Sequence, residues 1–203
     1  MAANDIAFDD HKIAFVVKHC KGRDVLDIGC IGGGRDPAAS PFWVHKAIVA
    51  VAKSAVGLDN NAAAAGALQA RGYGIVVGDA ESFQLGQTFD VIVAGDVVDL
   101  LQNLRGFIES CKRHLRPGGR LLISGKNPWY WRNTIKAGLR REVKMDTRRV
   151  CWVCPRTLRQ LLAPHGFQVN ELSFGSRALA DRALPLPAAW KHGDYHAEVI
   201  ASA

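Results

Sequence analysis

Four carboxylates stand at or beside the ends of apolar runs of strand length, and their spacing points to a ligand-binding edge. Asp27 sits in Val25-Leu26-Asp27-Ile28, Asp59 closes Val56-Gly57-Leu58, Asp79 follows Val76-Val77-Gly78, and Asp96 follows Val91-Ile92-Val93-Ala94-Gly95. A carboxylate such as Asp59 at a strand terminus can accept hydrogen bonds from both hydroxyls of a ribose. Directly after the first run comes Gly29-Cys30-Ile31-Gly32-Gly33-Gly34. A glycine-rich turn off a strand lets backbone approach a ligand closely, because no Cβ stands in the way. A nicotinamide dinucleotide site would place its acid about 20 residues after a full G-x-G-x-x-G. Here that glycine pattern is absent and Asp59 lies 30 residues beyond Gly29, which counts against a dinucleotide.

The elements that must position these acids follow from the hydrophobic pattern. Strands are expected near 24–28, 55–59, 74–78, 90–94, 119–125, 167–173 and 196–202, with helices near 10–20, 41–53, 61–71, 100–116 and 155–164. Such alternation predicts an α/β fold, a parallel sheet covered by helices on both faces. Arg116-Pro117-Gly118-Gly119 reads as a helix stop followed by a turn. No repeat or linker divides the chain, so residues 1–203 are expected to form a single domain. The segments 126–154 and 174–195 are longer than ordinary connections and are expected to cover a site as lids.

Composition narrows the classes. At 203 residues the chain can bury one full core. No apolar run reaches the ~18 residues needed to span a bilayer, and the N-terminus lacks the layout of a signal peptide. Five scattered cysteines form no disulfide framework, which suggests a reducing cytoplasm. Residues 1–100 hold 8 basic and 12 acidic side chains, against 18 and 7 in residues 101–203. Much of the excess lies between Lys126 and Arg159, including Arg132, Lys136, Arg140, Arg141, Lys144, Arg148, Arg149 and Arg156. That cluster suits an anionic partner or is a solvated helix face.

Taken in order, these residues resemble the class I S-adenosylmethionine-dependent methyltransferases. Asp27-Ile28-Gly29 is similar to motif I, Phe89 to Asp99 to motif IV, and Leu115 to Ser124 to the turn into strand 5. Within that class the chain is similar to small bacterial enzymes associated with sugar and glycan modification. Trp43-Val44-His45, Asn127-Pro128-Trp129 and Arg156 to Phe167 carry that part of the resemblance. The resemblance implies a Rossmann-like fold with a seven-stranded, mostly parallel sheet of order 3-2-1-4-5-7-6, the last strand antiparallel. It also implies S-adenosylmethionine as cofactor, S-adenosylhomocysteine as product, and no metal. Asp27, Gly29, Cys30, Ile31, Gly33, Asp59, Asn60, Asp79, Ala80 and Gly95 are its expected contacts. Two departures stand out: Ile31 replaces the second motif I glycine, and Leu100 stands where the family often has histidine after the motif IV acid.

Methyl transfer from a sulfonium is an in-line displacement in which positioning supplies much of the rate. A hydroxyl acceptor benefits from a nearby base. Asp96 and Asp99 are the candidates, with His45 placed toward the methionine end; Asp96 could instead only support the cofactor or a helix N-terminus, and a single histidine is more often structural. Asn127, Trp129, Tyr130, Arg132 and Trp152 are the candidate acceptor contacts, since aromatic faces beside guanidinium groups suit a sugar or base attached to phosphate. The same aromatics could instead pack a lid onto the sheet. Cys151-Trp152-Val153-Cys154 lacks the two further ligands zinc needs and reads as packing cysteines. The expected partner is therefore a small-molecule or glycan acceptor, with RNA as the alternative and a non-catalytic cofactor-binding scaffold as the third reading.

Overall fold

The computed structural model describes residues 6–33, 36–139, 147–175, 181 and 184–202. The basic residues Arg140, Arg141 and Lys144 and the loop residue Gly34 lie outside the described residues. Seven strands form one sheet of order β3-β2-β1-β4-β5-β7-β6. They are β1 (Asp24–Ile28), β2 (Ser54–Asp59), β3 (Ile75–Val77), β4 (Phe89–Gly95), β5 (Leu115–Lys126), β6 (Phe167–Phe174) and β7 (Asp194–Ala201). The first five run parallel, whereas β7 inserts antiparallel between β5 and β6.

Alternation along the strands assigns the two faces. Leu26, Ile28, Ile92, Ala94, Leu121 and Ile123 pack with Phe107, Ile108 and Leu158 in one cluster. Their strand neighbours Val25, Val91, Val93 and Leu122 pack with Phe15, Val16 and Ile48 on the opposite face. Successive strand side chains must point to opposite faces, so period-two apolar runs require two covering layers. Helices α1 (Ile6–Cys20) and α2 (Val44–Val51) cover one face, while α4 (Leu104–His114) and α6 (Pro155–Leu162) cover the other. Helix α3 (Ala62–Gln69) supplies Ala65 and Leu68 to a third cluster with Ile31, Trp43 and Ile75.

Local chemistry starts these helices where it is available. Asn61 and Asn103 cap α3 and α4 by accepting from the N–H of Ala64 and Gly106, satisfying donors that helix geometry leaves over. Cys154 caps α6 and exchanges hydrogen bonds with Thr157 in a capping box, with Pro155 in the first turn. Burial raises the Cys154 thiol pKa, but donors including Thr157 bring it down to about 7. Cys151 donates to the Val98 carbonyl at 3.8 Å, and both cysteines are free thiols.

Three expectations change in detail. The helix expected over 100–116 divides into a short 3-10 turn at Val98–Leu100 and α4. The Arg116–Gly119 turn is absorbed into an irregular start of β5, which pairs Leu115 with Phe89 before its register shifts. The long connections also contain helices of their own, α5 (Trp131–Gly138) and α7 (Ala188–Lys191).

Gly57 shows how tightly the sheet is packed behind the glycine loop. A Cβ there would stand 2.5 Å from Cys30 Sγ and 3.1 Å from His45 Cε1. Gly57→Ala is expected to lower the urea unfolding free energy by about 1–3 kcal/mol. An unchanged denaturation midpoint would show that Cys30 and His45 can yield.

Candidate functional site

A cavity of about 620 Å³ opens at the carboxyl ends of β1, β2, β3 and β4. It lies where the sheet order reverses between β1 and β4, the crevice in which open α/β sheets bind ligands. Asp27, Gly29, Cys30, Ile31, Gly33, Asp59, Asn60, Asp79, Ala80 and Gly95 all line it, together with Asp96. These eleven residues reach one wall from four strand ends and the loops that follow them.

The glycine loop is fixed from several sides. Gly29 has φ +72°, a region that disfavours side chains, and a Cβ there would stand 2.5 Å from Val97 Cγ2. The Gly29 N–H donates to Leu58 O at 2.7 Å, and the Ile31 N–H donates to Asp59 Oδ2 at 3.0 Å. Ile31 itself is buried in the third apolar cluster. Its side chain therefore anchors the loop where the family pattern would have glycine. Asp59 Oδ1 accepts the Asn61 N–H, while Asp79 accepts from the Glu81 N–H and the Ser82 hydroxyl. Each carboxylate oxygen has a second lone pair for a ligand.

The candidate bases occupy different environments. Asp96 adopts φ +57°, a sparsely populated conformation for a residue other than glycine. Its N–H donates to Ser124 O at 3.0 Å, and its Oδ2 accepts from Lys12 Nζ of α1 at 2.6 Å. Burial opposes the charge on Asp96, but Lys12, Lys126 and Arg149 outweigh it and hold the carboxyl well below the usual carboxylate range. A carboxylate so stabilised is ionised but weakly basic.

Asp99 does not line the cavity; it is 3% exposed. Its side chain pairs with Arg149 and accepts the Val153 N–H, and its carbonyl accepts from Val150 and Cys151. Burial pushes its carboxyl up against the opposing pull of Arg149. Asp99 thus fastens residues 149–153 across the end of β4 as a strap, and that strap brings Arg148 and Arg149 to the cavity wall. His45 is fully buried behind the loop, with Nδ1 3.0 Å from Asp27 Oδ2, and is also absent from the wall. Burial raises the Asp27 carboxyl pKa and His45 opposes that shift. His196, buried against Ser124 at 3.0 Å, is pushed down to about 4 by burial and nearby cations.

The five candidate acceptor contacts lie away from this wall. Asn127 is buried; its side-chain NH₂ donates to His192 O at 2.8 Å and its oxygen accepts the Trp129 N–H. Tyr130, Trp131 and Arg132 donate to Asp181, which is fully buried, at 2.6, 3.1 and 2.8 Å respectively. They tie the two long connections together. Trp129 is exposed and Trp152 half-buried. Lys12, Arg148 and Arg149 are cationic wall residues missed by reading strand ends. The basic run signalled the two arginines, but nothing local distinguished Lys12. Among the described residues, no group of three or more His, Cys, Asp or Glu side chains could hold a metal ion.

Comparison with known proteins shows the family. A family model described as a methyltransferase domain matches residues 5–172. A probable S-adenosylmethionine-dependent methyltransferase of Mycolicibacterium smegmatis is 28% identical over 177 residues, 84% of this chain and 63% of that protein. The mitochondrial ubiquinone biosynthesis O-methyltransferase of Schizosaccharomyces pombe is 26% identical over 60% of this chain and 44% of its own length. The matches therefore span less than two thirds of these curated relatives. The magnesium protoporphyrin IX methyltransferase of Synechocystis PCC 6803, solved with bound S-adenosylhomocysteine, superposes with a TM-score of 0.65 at 16% identity. That superposition covers 100% of this chain and 89% of the other.

Two outcomes test the electrostatics of the wall. Since its folded pKa is depressed, Asp96 contributes stability above the ordinary aspartate pKa of about 3.9 and loses it as pH falls through the lower folded value. Carboxyl NMR titration is expected to find Asp96 ionised at pH 3, with its midpoint raised in Lys12→Met; an ordinary midpoint in the wild type contradicts the pairing. Asp99→Ala leaves Arg149 and the Val153 N–H without their carboxylate partner. It is expected to cost about 3–5 kcal/mol and to speed amide exchange at 149–153. Wild-type exchange there would show that something else holds the strap.

Proposed function

We propose, on the premise that the chain belongs to the methyltransferase domain family, that it moves a methyl group from S-adenosylmethionine to a hydroxyl of a small anionic molecule, a sugar or glycan precursor. The observation that carries this reading is the convergence of Asp59, Asp79, Asp96 and the Gly29–Gly33 backbone on one cavity. The residues present fit the cofactor. Gly32 on the cavity wall has open space where a Cβ would stand, and Asp59 and Asp79 retain lone pairs beyond their backbone partners.

When bound, the cofactor supplies a methyl group activated by a sulfonium. Asp59 would accept the ribose hydroxyls, Asp79 the adenine amino group, and the loop backbone would lie along the remainder. Asp96 accepts a hydrogen bond from the acceptor hydroxyl and so aims an oxygen lone pair. Its low basicity makes orientation its main contribution, in keeping with a reaction whose rate depends heavily on positioning. Lys12 and Arg149 keep Asp96 ionised and favour an acceptor with negative charge.

Thermal melting with S-adenosylhomocysteine tests the cofactor assignment. At 100 times its dissociation constant, the ligand is expected to stabilise the protein by about 2.7 kcal/mol. Asp59→Ala should abolish the shift and lower the ligand-free melting temperature, because it also removes the acceptor for Ile31. No wild-type shift defeats the cofactor assignment, and an undiminished shift in Asp59→Ala defeats the ribose role. Labelled methyl transfer to sugar phosphates in preference to uncharged sugars tests the acceptor; the reverse preference rejects its anionic character.

A further inference from the structure

Helix α5 (Trp131–Gly138) follows β5, and none of its residues is buried. Trp131, Ile135 and Leu139 recur every four positions and so line one side of it, with Arg132 and Lys136 one position further round. The Leu139 N–H donates to Ile135 O at 2.9 Å, which carries the turn through Leu139. Ile135 and Leu139 are exposed, as are Trp129 before the helix and Trp190 of α7, all four between 43% and 63%. Asn127 draws the two tryptophans into the same neighbourhood. Its side-chain NH₂ donates to the carbonyls of Ala189 and His192, on either side of Trp190, and its oxygen accepts the Trp129 N–H. Residues 126–159 around this face carry ten basic and two acidic side chains.

We propose that α5, with Trp129 and Trp190 beside it, docks on the surface of an anionic phospholipid bilayer. An apolar stripe bordered by lysine and arginine lies in the headgroup region with the stripe toward the acyl chains and the cations among the phosphates. Tryptophan suits that boundary, since its ring is apolar and its N–H is polar. Charge decides against the other occupants. A second copy meeting this face across a two-fold axis would set one basic surface against another. RNA could stack on Trp129 and Trp190 but would leave the aliphatic Ile135 and Leu139 against phosphate and water. Strands β5 and β6 end, and β7 begins, at the edge of the sheet where the cavity opens. Docking through their connections therefore brings that edge to the lipid surface.

Flotation of the full chain with vesicles tests this. Binding is expected to equimolar phosphatidylglycerol–phosphatidylcholine vesicles and not to phosphatidylcholine alone, and it is expected to fall as salt rises. Lys136→Gln should weaken it roughly 5-fold. Ile135→Ser combined with Leu139→Ser should weaken it roughly 10-fold or more, with an unchanged melting temperature because both side chains are exposed. A wild type that ignores the anionic vesicles overturns the inference. Undiminished binding in both variants also overturns it, because basic residues elsewhere would then suffice. Self-association of the wild type that the double variant abolishes, without vesicle binding, gives the face to a second copy instead. None of these readouts needs cofactor or acceptor, so failure here leaves the methyl-transfer reading standing.

Discussion

The hydrogen bond from the Ile31 N–H to Asp59 fastens the loop after β1 to the end of β2, and the cavity takes its shape from that attachment. Gly29 strengthens it by donating to Leu58, while the Ile31 side chain fills the cluster formed with Trp43, Ala65, Leu68 and Ile75. Burying such a side chain contributes about 1.5–3 kcal/mol. The loop is therefore a packed element whose backbone faces the cavity. Asp59 serves it twice, by placing the loop and by presenting a carboxylate at the rim. A glycine at position 31 would keep the backbone donor but lose the anchor.

Charge organises the other side of the cavity. Asp96 and Asp99, three residues apart, project into different surroundings and meet different cations. Lys12 reaches Asp96 from α1, and Arg149 reaches Asp99 from the strap. A buried carboxylate is tolerated where a partner offsets its desolvation, so each acid holds a covering segment in place. The contact that keeps Asp96 ionised also reduces its basicity. This favours a site that orients its reactants over one that withdraws a proton in advance. His45, His196 and Asp181 are likewise buried and hydrogen-bonded, each supporting a neighbouring element from outside the cavity wall.

Much of the architecture was legible because strand periodicity and turn chemistry are local. Leu26 and Val25 face opposite layers as alternation demands; the strand order 3-2-1-4-5-7-6 was instead what the family resemblance implied. That the ten residues expected as cofactor contacts line one cavity has a related reason. In a parallel sheet every strand delivers its carboxyl end to the same edge, so residues that end strands become neighbours without further information. The lids were harder. Their aromatic and basic composition fitted a ligand equally well, yet Tyr130, Trp131 and Arg132 meet Asp181, about 50 residues away. Composition alone does not choose between a buried carboxylate of the same chain and an anion from solution.

The sequence by itself determined the sheet, its helical layers, the glycine turn and the acids at the strand ends, since each depends on spacing within a few residues. Only the tertiary structure decided which acid faces the cavity and which is sealed behind it. Asp96 and Asp99 look alike in sequence, and their roles part because Lys12 arrives from 84 residues upstream and Arg149 from 50 residues downstream. Long-range ion pairs leave no periodic trace in a sequence. They form where folding has already brought two distant segments together, and burial then makes their absence costly.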